Sequence, residues 1–128
     1  MKTSLLRNSV CVISSCSRGI GLEFTKNILK EGNIVIGLCR EENHNTNLNQ
    51  LKQLYPNSFN IIDGVDVQNQ ESIDKMEKEI KSKYKSIDML INVSAVLSDE
   101  SNKPERSLST LSRDWITKTM DVNLIGHV

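Results

Sequence analysis

Short apolar runs alternate with amphipathic stretches along the whole chain, without repeats or low-complexity segments. The apolar runs predict four buried β-strands, at residues 10–14, 34–39, 59–65 and 87–92. Helical periodicity predicts α-helices at residues 19–31, 48–54 and 70–83, and a further helix after Ser112. Strands and helices that alternate at this spacing predict a parallel sheet with helices on both faces, which is a doubly wound α/β fold.

Each of the longer helices is predicted to bury one apolar face. The expected faces are Ile20, Phe24 and Ile28 in the first helix, Ile73, Met76, Ile80 and Tyr84 in the third, and Ile116, Met120 and Leu124 in the last. Gly32 favours a helix stop, and Ser112 is the expected N-cap of the last helix. On the polar side of the third helix, we expect the i,i+4 ion pairs Glu71–Lys75 and Glu77–Lys81.

Composition narrows the class of protein. The length of 128 residues suits a single domain, and 16 basic residues balance 16 acidic ones, which argues against nucleic acid or an anionic membrane as a partner. No apolar run is long enough to span a bilayer. Three scattered cysteines favour free thiols in a reducing compartment, and the isolated His44 and His127 predict no metal site. We expect a soluble, cytoplasmic protein.

The sequence SSCSRGIG, residues 14–21, lies between the first predicted strand and the first predicted helix. Such a turn directs backbone N–H groups and the positive end of a helix at one point, where a phosphate can bind. Glycine is needed there if the chain turns tightly or a ligand lies against the backbone. The turn therefore predicts a phosphate site, although ordinary turns at helix starts share the pattern.

Four motifs, in the same order, resemble the short-chain dehydrogenases/reductases, which are Rossmann-fold enzymes that use nicotinamide cofactors. SSCSRGIG is similar to the family's TGxxxGxG turn, GVDV (residues 64–67) to its Asp-Val pair, DMLINVSAV to its strand ending in Asn-Asn-Ala-Gly, and MDVNLIGHV to its helix with a catalytic Asn. PERSLSTLSRDW resembles the carbonyl-reductase and C-factor-like branches. The resemblance implies strand order 3-2-1-4 and one incomplete NADP-binding domain over residues 1–128, truncated after the fifth helix of that fold.

The resemblance also implies a role for each matching residue. The implied phosphate site consists of Ser14, Ser17, Arg18, Gly19, Ile20 and Gly21. The implied adenine contacts are Asp66 and Val67, the ribose side of the crevice is Asn92, Ser94 and Ala95, and the catalytic set contributes Asn123. The alternatives are that Asp66 caps a turn, that Asn92 joins two strands, and that Asn123 is an ordinary polar position of a helix.

The end of the second strand selects the cofactor in a dinucleotide-binding fold. An acid there suits the ribose of NAD, whereas an arginine suits the 2′-phosphate of NADP. The strand ends in Cys39 and Arg40, and Arg18 adds a second positive charge, so we expect NADP(H). The alternative is that Arg40 is a solvated surface residue.

The chain departs from the family pattern at several positions. Ser15 replaces the first glycine of the turn, and Val93, Ser94 and Ala95 replace the later part of Asn-Asn-Ala-Gly. If position 15 requires a positive φ, a serine there costs about 1 kcal/mol, and Ser15 and Ala95 are expected to weaken cofactor binding. Cys16 is either a reactive thiol at a helix N-terminus or a small residue that fills the turn.

The family's reaction requires a Tyr, a Lys four residues later and a Ser. Neither Tyr55 nor Tyr84 has a lysine at that spacing, so we expect the chain alone to be inactive. Without a fifth strand, residues 87–92 would form an apolar sheet edge that favours self-association.

Three hypotheses follow. The first is the N-terminal half of an NADP-dependent reductase that acts on a small carbonyl or alcohol substrate. The second is a non-catalytic nucleotide-binding or interaction module. The third, another Rossmann-like class such as a methyltransferase, requires the matches at Asn92 and Asn123 to be accidental.

Overall fold

The computed structural model describes residues 7–41 and 45–128, which contain a four-stranded sheet, α-helices that connect its strands, and a further α-helix after the last strand. The strands are β1 (Val10–Ser14), β2 (Ile34–Leu38), β3 (Phe59–Ile62) and β4 (Met89–Ile91). The helices are α1 (Gly19–Lys30), α2 (Thr46–Leu54), α3 (Gln70–Lys83) and α4 (Arg113–Asn123). Two short 3-10 helices lie at Leu108–Thr110 and Ile125–His127.

The sheet is parallel, with strand order β3-β2-β1-β4, which confirms the predicted order. In the β1–β2 pair, Val10 lies opposite Ile34 and Ser14 lies opposite Leu38. The carboxyl ends of the two central strands therefore meet at one edge of the sheet, where the turn after β1 begins. Ligands of open α/β sheets bind outside this edge.

Alternate residues of the strands enter two separate clusters of buried side chains, as expected for a sheet covered on both faces. Ile13, Val35 and Phe59 pack with residues of α1 and α2, such as Leu29 and Leu48. The second cluster contains Val12, Ile36, Leu38, Ile62, Val65 and, from α3, Ile80. The predicted doubly wound α/β fold is confirmed.

The predicted bounds of β1 and α3 are confirmed, β2 and α1 each end one residue earlier than predicted, and β3 and β4 are clearly shorter than predicted. Beyond β3, Gly64 has a φ of +68°, and its N–H donates to the carbonyl of Arg40 at 3.1 Å, so the chain turns instead of continuing the strand. Before β4, a carboxylate oxygen of Asp88 accepts from the N–H of Val10 at 2.7 Å. At the other end of β4, the hydroxyl of Ser14 accepts from the N–H of Val93 at 2.8 Å. Side chains thus replace the ladder at both ends.

The buried face of α1 agrees with the prediction only at Ile28, which is partly buried against the first cluster. Ile20 and Phe24 are exposed, at 69% and 43%, and the buried positions are Gly21, Leu22, Thr25 and Leu29. The helix turns a different face to the sheet than predicted because Gly21 lies close against the turn after β1, as described below. Gly32 follows the helix with a φ of +83°, as its predicted role as a stop requires.

The described chain divides into two compact units, one ending at Val93 and the other covering Ser94–Val128. In the second unit, the hydroxyl of Ser112 accepts from the N–H of Trp115 at 3.3 Å, which confirms the predicted N-cap of α4. The predicted buried stripe is wrong, because Ile116, Met120 and Leu124 are about half exposed and Trp115 is the buried residue of α4. Trp115 precedes Ile116 by one residue, which is about 100° around a helix. The single-domain assignment of residues 1–128 stays a prediction.

Candidate functional site

The turn between β1 and α1 contains two residues with left-handed backbone conformations. Ser15 has a φ of +51° and Gly19 has a φ of +55°. Position 15 therefore does have a positive φ, and a serine in this conformation costs about 1–2 kcal/mol. A Cβ added at Gly19 would meet no atom within 4 Å, so the first residue of α1 borders open space.

Gly21 has a different role, because its missing side chain lets α1 lie against the turn. A Cβ at this position would lie 2.2 Å from the carbonyl oxygen of Ser15 and 3.0 Å from Cγ2 of Val93. The close contact is with the protein's own backbone. The glycine therefore sets where the N-terminus of α1 stands relative to β1.

Arg18 is the N-cap residue of α1, with an extended backbone (φ −155°, ψ 169°) and an exposed side chain. The half-buried Ser17 precedes it, and the exposed Ile20 follows in the first turn of the helix. The unpaired N–H groups of a first helical turn attract anions, and the arginine adds a formal charge beside them.

Asn45 also contacts this turn, which the sequence pattern did not reveal. Its side-chain Nδ2 donates to the carbonyl of Ser17 at 2.7 Å, and its Oδ1 accepts from the N–H of Leu48 at 3.1 Å. It is the N-cap of α2, so this helix begins earlier than predicted. The preference of asparagine for N-caps is the signal that points to it.

Arg40 follows the end of β2 and is exposed. The N–H of Cys16 donates to the carbonyl of Leu38 at 3.3 Å, which joins the turn after β1 to the end of β2. Within residues 7–41 and 45–128, neither Arg40 nor Arg18 takes part in an ion pair. No acidic partner from these residues therefore competes with an anionic ligand for either guanidinium.

Asp66 and Val67 are half-buried in the turn that leads from β3 to α3. The carboxylate of Asp66 accepts from the N–H of Gln68 at 2.9 Å, and the backbone N–H of Asp66 donates to the hydroxyl of Ser72 at 3.0 Å. The alternative role of Asp66 as a turn cap is therefore present in the structure. A contact with adenine stays a prediction.

Asn92 joins the carboxyl ends of β1 and β4 through one hydroxyl group. The hydroxyl of Ser14 donates to Oδ1 of Asn92 at 2.6 Å and accepts the N–H of Val93. Asn92 therefore has the strand-joining role, which is the alternative interpretation of this residue. Its position beside the turn after β1 is compatible with the ribose contact implied by the resemblance.

The remaining site residues belong to the second unit. Ser94 is buried, Ala95 is exposed, and Nε2 of His127 lies 2.5 Å from the carbonyl oxygen of Ser94. Asn123, the last residue of α4, accepts from the N–H of Val96 at 2.7 Å and donates to its carbonyl at 2.8 Å. Asn123 thus holds one backbone segment at both of its polar groups, which is more than an ordinary polar helix position does. Its catalytic role stays a prediction.

Cys16 is fully buried, and its hydrogen bond with the Cys39 thiol and its burial both raise the pKa of Cys16. A Cβ at Gly37 would lie 2.6 Å from the Cys16 sulfur, so the thiol fills the space above β2. The structure therefore supports the small-residue alternative for Cys16. A thiol with a raised pKa is a poor nucleophile.

Two kinds of feature are absent from residues 7–41 and 45–128. No helix there combines the length and hydrophobicity needed to cross a bilayer. No three acidic, histidine or cysteine side chains are grouped to hold a metal ion in that part of the chain. His44 lies outside the described residues.

A parallel 3-2-1-4 sheet with a glycine turn after β1 defines a Rossmann-like α/β protein. The family profile of the short chain dehydrogenases matches residues 9–128. The chain therefore belongs to this family of oxidoreductases.

Two curated relatives of this chain are dehydrogenases. The farnesol dehydrogenase of Aedes aegypti is 28% identical over 122 residues, which cover 93% of this chain and 46% of the relative. The 3alpha-hydroxysteroid dehydrogenase of Mediterraneibacter gnavus is 27% identical over 89 residues, which cover 69% of this chain and 36% of the relative. The chain thus spans less than half the length of either protein.

Among solved structures, a Burkholderia multivorans protein assigned to the short-chain dehydrogenases/reductases and crystallised with bound NADP superposes with a TM-score of 0.76. The two are 22% identical, and the match covers 93% of this chain and 49% of the other. At this identity, the similarity shows the fold alone.

Proposed function

We propose that this chain is the NADP(H)-binding part of an oxidoreductase that reduces a carbonyl or oxidises an alcohol. The observation that carries the proposal is the backbone of the turn between β1 and α1. Two left-handed residues, Ser15 and Gly19, bring the chain into α1 with open space at Gly19 and an exposed arginine at its N-cap. This combination suits a phosphate group.

The backbone at Gly19 leaves room for a cofactor. Because a Cβ there would project into unoccupied space, a ligand can lie against the backbone at the positive end of a helix. Arg18 and Arg40, both exposed and near the carboxyl ends of β1 and β2, supply the positive charge for the three phosphates of NADP. An arginine after β2, rather than an acid, favours the 2′-phosphate.

When bound, NADP(H) supplies a hydride donor or acceptor. The residues of this chain hold and orient it, with Ser14, Ser17 and Ile20 beside the phosphates, Asp66 and Val67 at the adenine, and Asn92, Ser94 and Ala95 at the ribose. Asn123 is proposed to belong to the catalytic set. Farnesol and 3α-hydroxysteroids, named for the two curated relatives, are alcohols. We therefore propose a small alcohol or carbonyl substrate for the whole protein. We also propose that the protein acts in the cytoplasm.

The test is a titration of the purified protein with NADPH and NADH, followed by fluorescence. We expect tighter binding of NADPH, and we expect Arg40→Ala to weaken NADPH by about ten- to a hundredfold, the value of hydrogen bonds to a charged group. NADH binding should be unchanged. Lys30→Ala is the matched control, because it also removes one positive charge, at the C-terminal end of α1 and away from the proposed phosphate site.

Equal affinity for NADPH and NADH, or an Arg40→Ala variant that still prefers NADPH to the same degree, would reject the proposed selectivity for NADP(H). Absence of binding to either cofactor would reject the proposed function. If the whole protein binds NADPH but oxidises it with neither aldehydes nor ketones, the nucleotide-binding module becomes the better description.

A further inference from the structure

One side chain connects the turn after β1 with the helix that follows β2. The carboxamide of Asn45 donates to the carbonyl of Ser17, inside the glycine turn, and accepts the N–H of Leu48 in α2. We infer that Asn45 is a positioning residue for the cofactor phosphates, an inference that rests on the proposed function.

The bond from Asn45 determines the direction of one peptide group. The described residues contain no cis peptide bond, so the Ser17–Arg18 peptide is trans. In a trans peptide the C=O and N–H groups point in opposite directions. With the carbonyl of Ser17 held towards Asn45, the N–H of Arg18 is directed to the other side of the turn.

The other end of the connection lies in the buried core. Leu48, whose N–H binds the Asn45 oxygen, is fully buried in the cluster that packs α1 and α2 on the sheet. Asn45 itself is half-buried. A side chain anchored in this way can hold the turn in place instead of following its movements.

The turn needs such support, because Ser15 has a left-handed backbone that a serine rarely adopts. If the Ser17 carbonyl is released, the turn can relax towards more common conformations, and the donors of the α1 N-terminus lose their fixed direction. Phosphate binding depends on donors that are oriented before the ligand arrives. Asn45 therefore acts on affinity without touching the cofactor.

The chain provides a matched control at the start of α3. Asn69 caps that helix as Asn45 caps α2, with Oδ1 accepting the N–H of Ser72 at 3.1 Å, the same distance as in the Asn45–Leu48 bond. Because serine is about as good an N-cap as asparagine, Asn45→Ser and Asn69→Ser should preserve both helices. Only Asn45→Ser removes the donor to Ser17.

The experiment measures NADPH affinity by titration, adenosine affinity by NMR and thermal stability for the wild type and both variants. We expect Asn45→Ser to weaken NADPH about tenfold, the effect of one lost hydrogen bond, and to leave adenosine affinity unchanged. Asn69→Ser should bind both ligands as the wild type does, with a melting temperature close to that of Asn45→Ser.

Unchanged NADPH affinity in Asn45→Ser, an equal loss in Asn69→Ser, or parallel losses of NADPH and adenosine would each overturn the inference. A wild type that does not bind NADPH would instead overturn the proposed function. If Asn45→Ser does not fold, Asn45→Asp retains the cap and removes the same donor, with Asn69→Asp as its control. High salt then screens the added charge, and unchanged affinity again overturns the inference.

Discussion

Replacing Gly21 by alanine is expected to destabilise the protein, although alanine is normally the better helix residue. The added Cβ would lie 2.2 Å from the carbonyl oxygen and 2.9 Å from the carbonyl carbon of Ser15. Real Cβ atoms essentially never approach another atom closer than 3.0 Å, so the gap must open by about 0.8 Å. The obstructing atoms belong to the backbone and cannot rotate away.

The size of the effect follows from two opposing contributions. Added atoms in a packed interior cost about 1–3 kcal/mol, and the upper end applies because α1 cannot shift without moving the buried Leu22 and Leu29. The better helix propensity of alanine returns about 1 kcal/mol. We therefore expect Gly21→Ala to lower the free energy of unfolding by about 2 kcal/mol.

The assay is urea unfolding followed by circular dichroism, with Gly19→Ala for comparison. Gly19 has free space around its Cβ position but a positive φ, so its replacement should cost about 1 kcal/mol from backbone strain alone. A Gly21→Ala variant as stable as the wild type, or more stable, would refute the packing explanation.

Three further predictions concern thiols, pH and the sheet edge. Cys11, Cys16 and Cys39 are buried; burial raises the pKa of Cys11, and the hydrogen bond with Cys39 raises that of Cys16. We expect no labelling by a thiol reagent at about pH 8 until urea unfolds the chain, and rapid labelling of native protein would contradict this burial. In the second unit, the Lys118 ammonium and then the Asn102 side chain hold the pKa of Asp99 below its usual range. The ion pair therefore stabilises the folded state above the unfolded-state pKa of about 3.9, and this contribution is lost as the pH falls below it. An NMR titration that gives Asp99 an ordinary pKa would exclude the effect, and Asp99→Asn should remove it. Leu90 is 65% exposed on the edge strand β4, so we propose self-association that Leu90→Lys reduces in sedimentation experiments; a strictly monomeric wild type would argue against this.

The order and type of the elements could be predicted because each one combines a clear period with an end signal. Val10–Ile13 is a continuous apolar run that leads directly into the glycine turn. The amphipathic stretch of α3 directly follows Asn69, a residue type that favours the N-cap position. The lengths of β3 and β4 could not be predicted. They depend on the hydrogen bonds that join Gly64 to Arg40, Asp88 to Val10, and Ser14 to Val93, which lie where the predicted strands would otherwise continue.

The buried faces of the helices were harder to predict, because several apolar stripes run along the same helix. In α1, Ile20 and Phe24 share one stripe, while Leu22 and Leu29 lie on another, and the contact of Gly21 with Ser15 selects the second. The contact of Asn45 with the glycine turn could not be predicted either, because it is not local in the sequence. Its partner Ser17 lies 28 residues away, and no local pattern indicates such a contact.

The hydroxyl of Ser14 has a consequence for the order in which the sheet assembles. It meets Asn92 across 78 positions of the chain, whereas Ser9 meets Asn33, at the start of the β1–β2 pair, across 24. Closing the longer loop costs about 1 kcal/mol more chain entropy. The strand β4 offsets this cost by pairing with β1 through only three residues. The strands β3, β2 and β1 should therefore assemble before β4 joins them, and amides of β4 should exchange with deuterated solvent first. Asn92 thus arrives last, and the proposed cofactor site is completed only in the final step of folding.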